Sequence, residues 1–269
     1  MSGADLPASA LEQSVLIVAH PDDEILWFGS IAARVDRIVV CFLDDPANPE
    51  LKKGREETLR AHPWHEKITC LGLDETGAFG LAGWPRPDIM EYGLKLDRRR
   101  DVAIEYQLRF RQLRDALTPI VRGANNVFTH NPWGEYGHEE HVLVNRAATT
   151  LAEESGKTVW YSNYASTWSE DLMRRYLDRQ DRPVFRGSVS VVQMQAIAGV
   201  YREHGAWTWF DDYVWFPEEF FTQGPLNRND APGFGWLFPV NFICLPPREK
   251  PVATRRDSRF KRFLRRIFR

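Results

Sequence analysis

Four short runs dense in β-branched and aromatic side chains, VLIVA (15 to 19), RIVVCFL (37 to 43), KITCLGL (67 to 73) and NVFTHN (126 to 131), alternate with stretches of helical period. The intervening helices are expected over DDEILWFGSIAARV (22 to 35), PELKKGREETLRAH (49 to 62), which proline opens, and DVAIEYQLRFRQLRDALTPIV (101 to 121). HEEHVLVNRAATTLAEE (138 to 154) and a fifth strand, TVWYSNY (158 to 164), continue the alternation. Strands separated in this way build βαβ units and a parallel sheet, so the expected fold class is α/β, a mostly parallel sheet flanked by helices. Beyond Ser166 the pattern weakens into an irregular, aromatic-rich C-terminal third with one helical stretch, SVVQMQAIAGVYREHG. The segment from Asp74 to Leu96, rich in Gly and Pro, is expected to be a long loop at the edge where ligands bind.

Two strand ends carry unusual chemistry. AHPDDE (19 to 24) follows the apolar VLIV directly, and PWGEYGHEEH follows FTHN. In parallel sheets ligands sit outside the carboxyl ends of the strands, which is where both clusters fall. Together they offer His20, Asp22, Asp23, Glu24, Asn131, Glu135, Tyr136, His138, Glu139, Glu140 and His141. Carboxylates packed this closely repel one another unless a cation relieves them, and imidazole with carboxylate is a good donor set for a divalent ion. Adjacent Asp22 and Asp23 can divide the labour between holding a metal and holding water. His138 and His141, three apart at a helix start, can supply a ligand and a donor. Each piece alone also has a bland reading: DDE caps a helix and complements its dipole, and a lone H-x-x-H is commonly accidental.

The two motifs in this order resemble the PIG-L/LmbE family of metal-dependent de-N-acetylases, from about residue 14 to 165. The resemblance implies a Rossmann-like fold, with His20, Asp23 and His141 binding Zn2+, a set that Fe2+ also accepts. It makes Asp22 the general base, His138 the group that stabilises the oxyanion and protonates the leaving amine, and Tyr136 an aid in polarising the carbonyl. Arg55, in GREET, matches a basic position that contacts sugar, and Glu24 is expected to be structural. The implied substrate is a small-molecule or lipid-linked N-acetylated amino sugar, with no nucleic acid as partner. His130 is either a group behind the metal ligands or a satisfied buried histidine. His62, His65 and His204 sit at capping positions, and His204 is a weaker candidate for the cleft.

The rest of the chain narrows the class. Cys41, Cys70 and Cys244 are odd in number and widely spaced, as reduced core thiols would be. Ten tryptophans leave some to line a cleft. The start of the chain has neither a basic nor an apolar stretch, and no run is long enough to span a bilayer, so a cytoplasmic address is expected. The division expected is a single domain over 1 to 254 and a basic tail over 255 to 269. The formal net charge of −2 conceals that tail, where eight Lys and Arg meet one Asp. Phe260, Phe263, Leu264, Ile267 and Phe268 share one helix face there, which suits either an anionic membrane surface or packing on the body or a partner. Rival readings are a catalytically silent glycan-binding protein on the same fold, which should lack a ligand or base, and a phosphate or ester hydrolase, which should show a second metal or a Gly-rich cradle. A nicotinamide enzyme would need G-x-G-x-x-G where HPDDE stands.

Overall fold

The computed structural model describes residues 3–46, 48–177, 183–230 and 239–248. In chain order its strands are β1 (Ala4–Asp5), β2 (Ser14–Val18), β3 (Arg37–Asp44), β4 (Ile68–Asp74), β5 (Ile89–Met90), β6 (Gly93–Leu94), β7 (Asn126–Thr129), β8 (Thr158–Ser162), β9 (Tyr164–Ser166), β10 (Val184–Ser188), β11 (Glu218–Gln223) and β12 (Asn241–Ile243). The helices are α1 (Asp23–Leu26), α2 (Pro49–Ala61), α3 (Arg100–Arg122), α4 (Glu139–Glu154), α5 (Glu170–Leu177) and α6 (Val191–Glu203).

Eight strands form one sheet in the order β1-β10-β11-β8-β7-β2-β3-β4. The run from β8 to β4 is parallel, as the alternation of strands and helices requires. β2 is buried on both faces, which explains its unbroken apolar run. Val15 and Ile17 point into a core shared with Tyr106, Leu113 and Leu117 of α3 and Leu143 and Val144 of α4. Leu16 and Val18 point the other way, against Trp27, Phe28 and Ile31.

The C-terminal third holds more regular structure than its weak period implied. β11 pairs antiparallel with both β8 and β10, extending the sheet beyond the parallel units. The helix expected over 22 to 35 is one turn, α1, followed by looser turns. The cause is Glu219 of β11, whose buried carboxylate accepts the backbone N–H groups of Gly29 and Ser30, the Ser30 hydroxyl and the Tyr164 hydroxyl. Those N–H groups are taken out of the helical ladder. The expected strand 158 to 164 divides: β8 stays in the main sheet, and β9 pairs with β12. The loop from Asp74 to Leu96 is as expected, apart from the small β5–β6 hairpin. Cys41 is buried and Cys70 half-buried, but Cys244 is exposed, so the core assignment fails for it; all three are free thiols. Among the described residues no helix is long and apolar enough to cross a membrane. The basic tail 255 to 269, and most of the GFGWLFPV run, lie outside the described residues.

Glu219→Ala should strip the acceptor from four donors at once. Urea denaturation should show a loss on the order of 3 kcal/mol, and an unchanged midpoint would mean that Glu219 does not hold this turn.

Candidate active site

β2 and β7 are parallel neighbours, so their carboxyl ends lie side by side. The chain moves from β2 to β3 on one side and returns to β7 on the other, and the two departures open a crevice between them. AHPDDE leaves β2 at this point and THNPWGEYGHEEH leaves β7. β4 ends nearby and brings Glu75 and Thr76 to the same edge: Glu75 lies 3.8 Å from His20, and the Thr76 hydroxyl donates to Glu140 at 2.7 Å.

Three expected ligands meet there. His20 Nδ1 lies 3.4 Å from one Asp23 oxygen, and His141 Nε2 lies 3.4 Å from the other. The far nitrogen of each ring is fixed by a different carboxylate. His20 Nε2 donates to Glu140 at 2.9 Å, and His141 Nδ1 donates to Glu135 at 2.7 Å. These partners set the tautomers of the neutral rings, leaving a bare nitrogen of each turned towards Asp23. His141 Nε2 is buried with no hydrogen-bond partner, a state that costs stability unless something accepts its lone pair. Two imidazoles and one carboxylate around an orphaned lone pair fit a divalent cation. Burial opposes a charge on His20, but Asp23 and Glu140 outweigh it and lift the imidazole to about 10, so Nδ1 holds a proton against Asp23 until a cation displaces it. The same acids favour a metal cation.

His130 and His138 also bring ligand atoms within 4.8 Å of this group, in sets with His141. Both, however, have committed lone pairs. His130 Nε2 accepts the Ala19 N–H at 2.8 Å, and its Nδ1 proton faces Glu135 at 2.9 Å. His130 is thus a satisfied buried histidine that helps to orient Glu135. His138 caps α4, its Nδ1 accepting the Glu140 N–H at 3.2 Å. Neutral His138 therefore carries its proton on Nε2, as a donor. Burial, then the neighbouring His141 and His20, hold it well below its ordinary value.

Asp22 has a left-handed backbone, φ 99°, unusual for a residue with a side chain and costing about 1–3 kcal/mol. Its N–H is held by Glu24, and its carboxylate accepts the Thr208 hydroxyl at 2.7 Å. Burial and the adjacent Asp23 push the Asp22 carboxyl up to about 8, against the opposing pull of Thr208 and Arg55. For Asp23 burial also opposes ionisation, but His141 and the other imidazoles hold it well below the usual carboxylate range. Neighbouring acids thus separate into one that stays ionised and one poised to exchange a proton.

Tyr136 is half-buried, its ring among His141, His138, Trp27 and Trp209 at 4.7 to 5.6 Å. Arg55 is buried, donating to the Leu43 carbonyl and to Glu75 at 2.6 Å, and Glu75 in turn lies 3.8 Å from His20. Glu24 is structural, accepting from the Asp22 N–H, the Tyr201 hydroxyl and His62. His62 sits at the C-terminal cap of α2 as expected, but its ring serves Glu24. His204 caps α6 and lies 3.6 Å from Glu57, a residue of α2. Sequence reasoning assigned no role to Glu135, Glu140 or Thr208. The first two carried a weak signal, being acids inside the Gly-flanked motif. Thr208, half-buried and set in an aromatic run, carried none.

A mostly parallel α/β sheet with this imidazole and carboxylate cluster at its switch point defines a Rossmann-like protein with a candidate metal site. The chain belongs to the PIG-L family, described as GlcNAc-PI de-N-acetylase, whose profile matches residues 15–152. It is 26% identical over 185 residues to N-acetylglucosaminyl-phosphatidylinositol de-N-acetylase of Bos taurus, a match covering 67% of this chain and 65% of that one. It is 24% identical over 161 residues to 1D-myo-inositol 2-acetamido-2-deoxy-alpha-D-glucopyranoside deacetylase of Corynebacterium diphtheriae, covering 52% of each. The chain thus spans less than two thirds of the length of these relatives. A crystal structure of the zinc-inhibited form of a teicoplanin deacetylase superposes with a TM-score of 0.49 at 14% identity, over 81% of this chain and 99% of that one. So loose a superposition carries nothing about the site.

Glu135→Gln should leave His141 unfixed. Competition against a chromophoric chelator should show zinc affinity falling about 10- to 100-fold; wild-type affinity in this variant would remove Glu135 from the support of the site.

Proposed function

We propose that this protein is a zinc-dependent hydrolase that removes the acetyl group from an N-acetylated amino sugar or its conjugate, releasing acetate and a free amine. The observation that carries it is the pair of imidazole nitrogens, each fixed from behind by a carboxylate and both turned on Asp23. His20, Asp23 and His141 would hold the ion, which when bound supplies Lewis acidity to the amide carbonyl and makes water a better nucleophile. Names of the relatives support the sugar amide as substrate class.

The chain's own residues then divide the reaction. Asp22, held by Thr208 and lifted towards neutrality by burial, takes a proton from the attacking water. As the carbonyl carbon becomes tetrahedral, its oxygen gains charge, and the Nε2 proton of His138 is the donor for it. Tyr136 walls the same side. Loss of the amine breaks the C–N bond and requires a proton on nitrogen. Neutral His138 could give one only by becoming anionic, because its Nδ1 is occupied as an acceptor. Asp22, having just gained a proton, is the better source, so the amine-protonating role expected for His138 moves to Asp22. Arg55, the expected sugar contact, is buried against the Leu43 carbonyl and Glu75 and would act through Glu75, which lies 3.8 Å from His20. The silent-binder alternative is disfavoured because neither the ligands nor the base are missing.

The test is to measure bound metal and screen N-acetylated sugars for amine release. Asp22→Asn should retain zinc and lose at least about 100-fold in kcat. Unchanged turnover in that variant would refute the assigned base. For the tail we propose a peripheral contact with anionic membrane, which bears on whether the substrate is lipid-linked. The full chain should pellet with phosphatidylserine vesicles, and an Arg265→Glu, Arg266→Glu double variant should pellet less; equal pelleting would exclude this use of the tail.

A further inference from the structure

The turn that delivers His138 is built from backbone that resists its own conformation. Gly134, Glu135 and Gly137 have φ of 65°, 48° and 90°, and Glu135 carries a side chain in a region that favours glycine. Such a turn persists only where its surroundings over-determine it. Three successive carbonyls of the turn each accept a hydrogen bond from a side chain more than 25 residues further on. The Ser169 hydroxyl donates to the Glu135 carbonyl, the Ser166 hydroxyl to the Tyr136 carbonyl at 3.3 Å, and Arg248 Nη2 to the Gly137 carbonyl at 2.6 Å. All three donors lie beyond residue 152, outside the stretch matched by the family.

Arg248 is the most constrained of the three. Its guanidinium stands 4.7 Å from the Trp168 ring centre, 5.1 Å from Phe79 and 5.3 Å from Trp84. Its Nη1 is 3.9 Å from Glu139, a fully buried carboxylate that also accepts from the N–H groups of Gly80 and Ala82 and the Trp84 indole. Phe79, on the long loop, lies in turn 4.7 Å from the His138 ring. One cation therefore joins the C-terminal segment, the long loop and the residue before His138. The arrangement is costly, since Arg248 Nε and Nη1 are buried with no hydrogen-bond partner. A local rule broken at a loss of stability is expected where function needs the geometry.

We infer that Arg248 is a positioning residue for the deacetylation, clasping the Gly137 carbonyl and the long loop so that His138 presents its Nε2 proton to the reacting carbonyl. This rests on the reaction proposed above. Arg248 touches none of the residues assigned to the metal, so its loss should spare the ion and slow the chemistry.

The experiment takes the full-length wild type and Arg248→Ala, loaded with zinc, and reads metal content, kcat and KM on the best N-acetylated sugar, and amide hydrogen exchange. The expected result is one zinc per chain in both, kcat lowered about 10- to 100-fold, KM within about twofold, partial recovery of kcat in millimolar guanidinium, and faster exchange over 134–141. If Arg248→Ala does not fold, Arg248→Lys is read the same way, because it keeps charge without the planar stack. Unchanged kcat, a rise in KM alone, or zinc lost in step with activity would each overturn the assignment. Should the wild type hydrolyse no N-acetylated sugar, the deacetylase reading fails by itself. The exchange result then decides the clasp: unchanged protection at 134–141 overturns it, and a local loss of protection upholds the positioning of His138.

Discussion

The site depends on how Asp23 is shared. A single carboxylate faces an imidazole on each side, one from the loop after β2 and one from the helix after β7, and those strands are adjacent in the sheet. Neither imidazole can turn away, since Glu140 and Glu135 hold their far nitrogens. The two motifs hold six carboxylates that would repel one another if free, and the four nearest the rings have separate tasks. Asp23 lies between the rings, Glu135 and Glu140 stand behind them, and Asp22 is turned by its left-handed backbone to the Thr208 hydroxyl. Negative charge behind each ring orients it and turns its other nitrogen towards Asp23.

The two glutamates inside HEEH also join the site to its surroundings. Glu140 accepts from the Thr76 hydroxyl, and Glu139 accepts from Gly80, Ala82 and Trp84. The helix that presents His138 and His141 is thereby the anchor of the long loop, and Phe79 on that loop reaches back to His138. The long loop and α4 are therefore mechanically one unit. A change in the loop is felt at His138 through Phe79.

Much of this was legible in the sequence, for a definite reason. β2, β3, β4 and β7 are local elements with strong apolar signatures, and the two motifs that hold the expected ligands begin at the ends of β2 and β7. Legibility ended where distant segments decide local structure. The helix expected from 22 to 35 is interrupted because Glu219, nearly 190 residues away, takes its N–H groups. β10 and β11 join the sheet by antiparallel pairing that no βαβ pattern announces. The same holds within the site. The motif residues were found, but Thr208 and Arg248 come from the C-terminal third, where an isolated Thr or Arg looks like any other. The partners that set His138 and His130 apart from His20 and His141, the Glu140 and Ala19 N–H groups, are visible only in the structure.

X-ray absorption at the zinc edge on the metal-loaded protein, repeated for His141→Ala, tests the sharing of Asp23 most directly. The account predicts one zinc per chain whose protein shell is two imidazoles and one carboxylate, falling to one imidazole in the variant. A wild-type shell with three imidazoles, or one that His141→Ala leaves unchanged, would contradict it.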